Sequence, residues 1–454
     1  MQERGSREEF GSGGRRKRMI SGARVAPRKS LGQNFLQDEE LSRWIADQVE
    51  PGKAAMVVEA GPGLGALTVH LAGRAKKLVL LEKDDALVDR LKDEYEGRMD
   101  VEVVHADATE VDLRPWYEVG DVRMVGNLPY SVGGEILKRV LTVPTPVTMA
   151  VFMLQKEVCQ RLVAKQGEQG FGGLSLLVQK DWNAELLRIV PPEVFKPKPK
   201  VDSAVVRFTP RDPASLPVFD RRSFDRLVKM GFSQRRKQLK NLLPEPPDSW
   251  EALVESLGKA VTVRAEELSL EDWVAVSRWY DGRRDVDVGQ KSSEMFDVVD
   301  ENNVVTGQLT RGEVHAQGLR HRAVHVFVLN KRGEVFLQQR SHLKDVAPLR
   351  WDSSAAGHLD VGEPYGVAAI RETREELGIE VETSRCVAKL SASDATDQEF
   401  VELHLAEHKG PMRCFPEEVR CGEWFQPETV TQWVEKRPED FAKGFVACWK
   451  AWKG

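Results

Sequence analysis

Short apolar runs recur along the first half of the chain, separated by stretches in which apolar residues return every three or four positions. The runs are Met56–Ala60, Leu78–Glu82, Val101–His105, Val122–Val125 and Met149–Met153. Strands alternating with helices predict a parallel, doubly wound α/β sheet, with Ser203–Phe208 added as an edge strand near its end. Upstream, Asp38 is placed to cap a helix whose Leu41, Trp44, Ile45 and Val49 share one face. Residues 191–200, PPEVFKPKPK, hold too much proline for regular structure. These segments make a first domain over 25–215. Over 216–283 the pattern turns helical and charged, with Phe224, Leu227, Val228 and Phe232 on one face and Leu239, Leu242 and Leu243 continuing it, which predicts a small helical domain. Residues 284–293 read as a linker by composition. After them, runs at Met295–Val299, Val324–Leu329 and Glu334–Gln338 and a helix near 364–378 predict a separate α+β domain over 294–454. Residues 1–24 are nearly devoid of apolar side chains and read as a disordered tail, with Met19 an alternative start to Met1.

Composition narrows the class. A chain of 454 residues with 41% hydrophobic and 30% charged residues is globular and exceeds one ordinary core. No apolar run is long enough to cross a bilayer, so no membrane partner is expected. The five cysteines form no C-x-x-C, which fits free thiols in a reducing cytoplasm. Charge is uneven: residues 286–454 hold 21 Lys+Arg against 28 Asp+Glu, while residues 1–285 hold 45 against 43. The two parts therefore meet different partners.

The chemistry centres on Gly126-Asn127-Leu128-Pro129-Tyr130, at the end of an apolar run. Ligands of open α/β sheets bind at the carboxyl ends of strands. The Asn127 side-chain oxygen and the Leu128 carbonyl can accept the two N–H bonds of an exocyclic amine. Pro129 stiffens the turn and Tyr130 offers a face to a base. Gly61-Pro62-Gly63-Leu64-Gly65 follows the first strand and opens a helix, bringing backbone N–H groups to a ligand. This turn alone also suits a dinucleotide. Glu82 ends the next strand, where a carboxylate can hold ribose hydroxyls, and Asp107 follows the third, where it can accept from an adenine amine.

The ordered motifs RKSLGQNFL, VVEAGPGLGALT, LLEKD, ADA, GNLPY, MLQKEV, FKPKPKVDSAVV and FSQRRKQLKNLL resemble the ribosomal RNA adenine dimethyltransferases of the KsgA type, over about residues 24 to 283. The resemblance implies a class I, Rossmann-like sheet dependent on S-adenosylmethionine, followed by a small helical domain. It implies cofactor contacts from Asn34, Leu36, Gly61, Glu82, Asp107 and Asn127, and dimethylation of two adjacent adenines in the 3′-terminal hairpin of small-subunit rRNA. The related large-subunit methyltransferases are the near alternative. Residues 221–240 hold eight basic residues and one acid, Asp225, so Arg221, Arg222, Arg235, Arg236, Lys237 and Lys240 are the expected contacts to rRNA in the small ribosomal subunit.

Residues 357–379, GHLDVGEPYGVAAIRETREELGI, fit the Nudix box, with Thr373 in place of an aliphatic residue. Glu372, Glu375 and Glu376 fall at i, i+3 and i+4, on one helix face, where hard oxygen ligands suit Mg²⁺ or Mn²⁺. Arg371 is placed to pair with Glu363. The resemblance implies hydrolysis of a nucleotide-type diphosphate, with Glu376 catalytic and Glu399 or Glu402 supplying a further ligand or base. The flanking sequence is similar to Nudix proteins related to isopentenyl diphosphate isomerase, but Ala356 stands where that isomerase has its cysteine. A different class of reading makes the chain a ribosome-assembly factor with the Nudix part as a docking or sensing module.

Overall fold

The computed structural model describes residues 33–282 and 292–453. The expected tail, residues 1–24, and most of the expected linker, 284–293, lie outside the described residues. The first sheet has seven strands in the spatial order Val101–His105, Leu78–Glu82, Met56–Ala60, Val122–Asn127, Val147–Gln155, Ser203–Pro210 and Trp182–Val190. The first five run parallel and the last two antiparallel to their neighbours. The strands Met56–Ala60 and Leu78–Glu82 are buried along their whole length, because helices cover both sheet faces.

Ser203–Pro210 is interior rather than the edge strand expected from the sequence. It lies between Val147–Gln155 and Trp182–Val190, and the latter takes the edge. Four of the nine residues of Trp182–Val190 are exposed and polar ones interrupt its apolar run, so the sequence pattern did not single it out. The proline-rich segment also contributes a two-residue strand, Phe195–Lys196, paired with Phe35–Leu36. That pairing anchors the amino-terminal segment beside the sheet. Asp38 caps its helix as expected, accepting from the Leu41 N–H at 2.9 Å.

The helical domain is built from Arg221–Gly231, Trp250–Ser256 and Leu270–Tyr280 around Phe224, Leu227, Val228, Leu239 and Trp273. The carboxy-terminal domain centres on a parallel pair, His321–Leu329 with Glu399–Glu407, within a mixed sheet of seven strands. The helix Tyr365–Leu377 packs on one face through Ala368, Ala369 and Leu377, and ends at Gly378 with φ +61°. On the other face lie Pro427–Lys436 and Lys443–Lys453. Thr373 is fully buried, and its hydroxyl donates to the Ala369 carbonyl at 2.6 Å. The helix backbone thus satisfies the one polar residue at an aliphatic position.

Candidate active sites

A cavity of about 230 Å³ opens at the carboxyl ends of the first sheet's parallel strands. Its walls contain Asn34, Leu36, Gly61, Glu82, Asp107 and Asn127, together with Leu128 and Pro129. The residues expected to touch the cofactor are therefore brought to one place. Gly61 and Gly63 have φ of +67° and +58°, and a Cβ on Gly63 would lie 3.2 Å from the Phe35 ring. A Cβ on Gly126 would lie 2.6 Å from the Ala60 carbonyl. The glycines thus let two strand ends and the amino-terminal segment close around one ligand-sized space.

Hydrogen bonds fix the polar groups in its walls. Glu82 Oε2 accepts from the Gly63 N–H at 3.0 Å, and Oε1 accepts from the Lys83 and Asp84 N–H groups at 2.9 Å each. Asp107 accepts from the Thr109 N–H and hydroxyl, and from Lys83 Nζ at 2.5 Å. Burial acts to raise its pKa, but the Lys83 and Thr109 bonds outweigh it and hold the carboxyl below its ordinary value. The Asn127 Nδ2 donates to the Asn34 carbonyl at 2.9 Å. A carbonyl only accepts, so this bond turns the Asn127 oxygen to the other side, where the cavity can use it. Such a donor set, two carboxylates and a glycine turn at strand ends, fits a nucleoside cofactor.

Tyr130 is not part of this wall. Its ring is half-buried beside it, and its hydroxyl bonds Ser203 Oγ at 2.7 Å. Sequence reasoning missed Glu59, which lines the cavity and is fully buried. Its signal was an acid inside an apolar strand. Burial pushes its carboxyl up to about 8, against a bond from the Thr68 hydroxyl at 2.7 Å. The folded value lies above the unfolded one, so this group's stabilisation is complete below about 4.5 and is lost as pH rises through about 8. We expect Glu59→Gln to flatten the fall in melting temperature between pH 5 and pH 9, read by thermal unfolding across that range. An unchanged pH profile would contradict the assignment of a neutral Glu59.

The basic cluster divides. Arg235, Arg236, Lys237 and Lys240 are exposed. Arg221 instead binds Asp181 at 2.8 Å and donates to the Arg420 carbonyl at 3.0 Å, while Arg222 donates to the Met412 carbonyl. Arg221 is thus partly buried and held between Asp181 and the carboxy-terminal domain, which corrects its assignment to an RNA surface, whereas Arg222 keeps an exposed side chain beside its one bond to the Met412 carbonyl.

In the second domain Arg371 pairs with Glu363 through two bonds of 2.8 and 3.0 Å and also binds the His358 carbonyl at 2.9 Å. It binds Glu372 and Glu375 as well, at 2.8 and 3.1 Å. Glu376 is buried, accepts from the Ala356 N–H at 3.0 Å and from Gln338 at 2.7 Å, and faces Lys344 at 3.5 Å. The three carboxylates are thus shared between two side-chain cations, Glu372 and Glu375 on Arg371 and Glu376 on Lys344. Burial first, then the Glu376 charge, pushes Glu372 up to about 8. A Cβ on Gly357 would collide with the Glu372 carboxylate. Buried carboxylates that repel one another beside a glycine fit a hard divalent cation.

Of the two further acids, Glu399 receives His321 and His358, at 3.5 and 3.0 Å, and Glu402 receives Lys389 at 2.7 Å. Two residues in register along Glu399–Glu407 would share a face; three apart, these two do not. Glu399 joins His315, His321 and His358 in the wall of a cavity that also holds Arg311, Arg340, Lys344 and Lys443. These histidines were not singled out in the sequence, because 43 residues of chain separate the first from the last.

A family model described as ribosomal RNA adenine dimethylase matches residues 25–281, and one described as NUDIX domain matches residues 319–445. The ribosomal RNA small subunit methyltransferase A of Geobacillus thermodenitrificans is 37% identical over 282 residues, covering 60% of this chain and 96% of its own. That of Xanthomonas campestris is 38% identical over 259 residues, covering 57% and 98%. Among solved structures, the 23S rRNA methyltransferase ErmE superposes with a TM-score of 0.45 and 27% identity, over 55% of this chain and 100% of its own.

Proposed function

We propose, because the chain belongs to the ribosomal RNA adenine dimethylase family, that it dimethylates two adjacent adenines in the 3′-terminal hairpin of small-subunit rRNA, and that its Nudix domain hydrolyses a nucleotide-type diphosphate. The observation that carries the first part is the Asn127 amide. Its nitrogen is committed to the Asn34 carbonyl, and its oxygen remains for a substrate amine.

S-adenosylmethionine, when bound, supplies an electrophilic methyl group. The residues of the chain then have three tasks. Asn34, Leu36, Gly61, Glu82, Asp107 and Asn127 hold the cofactor in the cavity. The Asn127 oxygen and the Leu128 carbonyl accept the two N–H bonds of the adenine amine, which keeps its lone pair directed toward the methyl rather than spread into the ring. Pro129 stiffens the turn, and Tyr130 replaces the stacking that the base loses on leaving the RNA. Positioning supplies most of the rate, since the amine attacks before losing a proton and needs no strong base.

Arg235, Arg236, Lys237 and Lys240 hold the RNA backbone. Binding to immature small subunits should therefore weaken steeply with salt. The double variant Arg235→Ala/Arg236→Ala should lower the slope of log K against log salt by roughly 1.5 to 2, read by filter binding. An unchanged slope would remove these residues from the interface. Labelled methyl groups should appear on immature small subunits and not on large subunits; the reverse outcome would favour the large-subunit reading.

In the Nudix domain, Glu372, Glu375 and Glu376 with the Gly357 carbonyl would hold Mg²⁺ or Mn²⁺, which neutralises a diphosphate and activates water. The raised carboxyl of Glu372 and the glycine beside it support this reading. A screen of nucleotide sugars, dinucleotides, capped RNA ends and oxidised nucleotides with Mg²⁺ tests it.

A further inference from the structure

The two enzymatic domains meet through a short segment of the methyltransferase, Arg114–Val119, a single stretch of 3-10 helix. It lies between Asp107 and the strand Val122–Asn127, so it joins two walls of the cofactor cavity in sequence. Its side chains part in two directions. Trp116 and Val119, with Leu113 just before the segment, pack into the methyltransferase core together with Ala108, Met124 and Leu128. Tyr117 turns the other way and enters the core of the Nudix domain.

There Tyr117 is buried and stacks on Trp433 at 4.6 Å, with edge contacts to Trp351 at 5.3 Å and Phe425 at 5.5 Å. The three Nudix aromatics also touch one another. A ring from the first domain thus completes an aromatic cluster of the second. Arg114 donates to the buried Glu334 at 3.1 Å and to the Trp424 carbonyl at 2.7 Å. Lys436 pairs with Glu118 at 2.7 Å. Gly120 has φ +90°, and a Cβ there would come within 2.5 Å of the Arg437 guanidinium. Arg221 and Arg222 add bonds to Nudix carbonyls from the helical domain. A tethered passenger domain needs none of this. Removing the Nudix domain would strip Tyr117 of three aromatic neighbours, and removing the methyltransferase would leave Trp433, Trp351 and Phe425 around an open slot.

We propose that residues 114–120 are a docking element that makes the methyltransferase and Nudix domains one cooperative unit, in which a ligand of the methyltransferase cavity also stabilises the Nudix domain. The second half of this proposal rests on the cofactor reading given above. The physical basis is linkage: a ligand that binds only the folded unit stabilises everything that unfolds with it. Coupling of this kind is reciprocal, so a Nudix ligand stabilises the methyltransferase equally.

Calorimetry of the full chain, with and without S-adenosylhomocysteine as probe, tests this. One unfolding transition is expected, raised by roughly 3 °C or more at saturating probe. Tyr117→Ala should split it in two, with only the methyltransferase transition still raised by the probe. Tyr117→Phe is the control, because the Tyr117 hydroxyl has no hydrogen-bond partner among the described residues. It should unfold as the parent does. Arg114→Ala, which leaves the rings in place, should lower the single transition. Two transitions in the parent chain, or a Tyr117→Ala trace that matches the parent, would overturn the proposal. A single transition unmoved by the probe would count against the cofactor reading and leave the docking element standing.

Discussion

Replacing Asn127 by Ala should reduce methyl transfer to immature small subunits roughly 100-fold or more, while affinity for S-adenosylhomocysteine changes less than about 10-fold. The asymmetry follows from where the side chain is used. Asn127 is one of several groups lining the cavity, whereas in the proposed reading it would supply one of two acceptors for the amine. Losing one contact in a set costs binding modestly. Losing the acceptor frees the amine to rotate and conjugate with its ring. Asn127→Asp sharpens the test. A carboxylate can accept from an amine, but it cannot donate to the Asn34 carbonyl that now receives Asn127 Nδ2 at 2.9 Å. Two acceptors would face each other across that contact, so the Asp variant should also lose turnover. Filter assays with labelled cofactor give the rate, and titration calorimetry gives the affinity. Turnover unchanged in both variants would sink the assigned role of Asn127.

Glu376→Gln should abolish Mg²⁺-dependent hydrolysis by the Nudix domain, by roughly 100-fold or more, once a cleaved compound is found in the screen. The variant should remain folded. Glu376 is buried, and burial holds its carboxyl above the ordinary carboxylate range. A neutral amide avoids the cost of a buried charge and keeps an acceptor for the Ala356 N–H; it gives up the attraction of Lys344 and Arg340 together with the repulsion of Glu372 and Glu418. Melting temperature should therefore change little while activity disappears. A variant as active as the parent would end the claim that Glu376 is catalytic.

Much of the first site was legible because strand ends are legible. Apolar runs stop at Ala60, Glu82, His105 and Asn127, and a parallel sheet carries such ends to one edge. Glu82, Asp107 and Asn127 therefore converge although 45 residues of chain separate the first from the last. The Nudix box was legible for a different reason. Glu372, Glu375 and Glu376 sit on one short helix, where sequence spacing is spatial spacing.

What the sequence concealed was tertiary pairing. Arg221 and Arg222 carry the same charge as Arg235 and Arg236, and composition treats them alike. Only the fold ties the first two to Nudix carbonyls, Arg221 partly buried and Arg222 still exposed, and leaves the last two exposed on the helical domain. Tyr117 was not singled out in the sequence, since its partners at 351, 425 and 433 lie more than 200 residues away. Trp182–Val190 escaped notice as a strand because an exposed edge needs no continuous apolar pattern. The histidine cluster with Glu399 was hidden in the same way: single residues from a helix and three strands, met only across the sheet.

In the proposed reaction the atom methylated is the nitrogen of an adenine amine gripped at the end of the strand Val122–Asn127. The direct measurement is to incubate the full chain with immature small subunits and labelled S-adenosylmethionine, digest the rRNA to nucleosides and identify the labelled product. N6,N6-dimethyladenosine is expected as the end product, absent with Asn127→Ala. Label confined to another nucleoside, or to a ring nitrogen or ribose of adenosine, would contradict it.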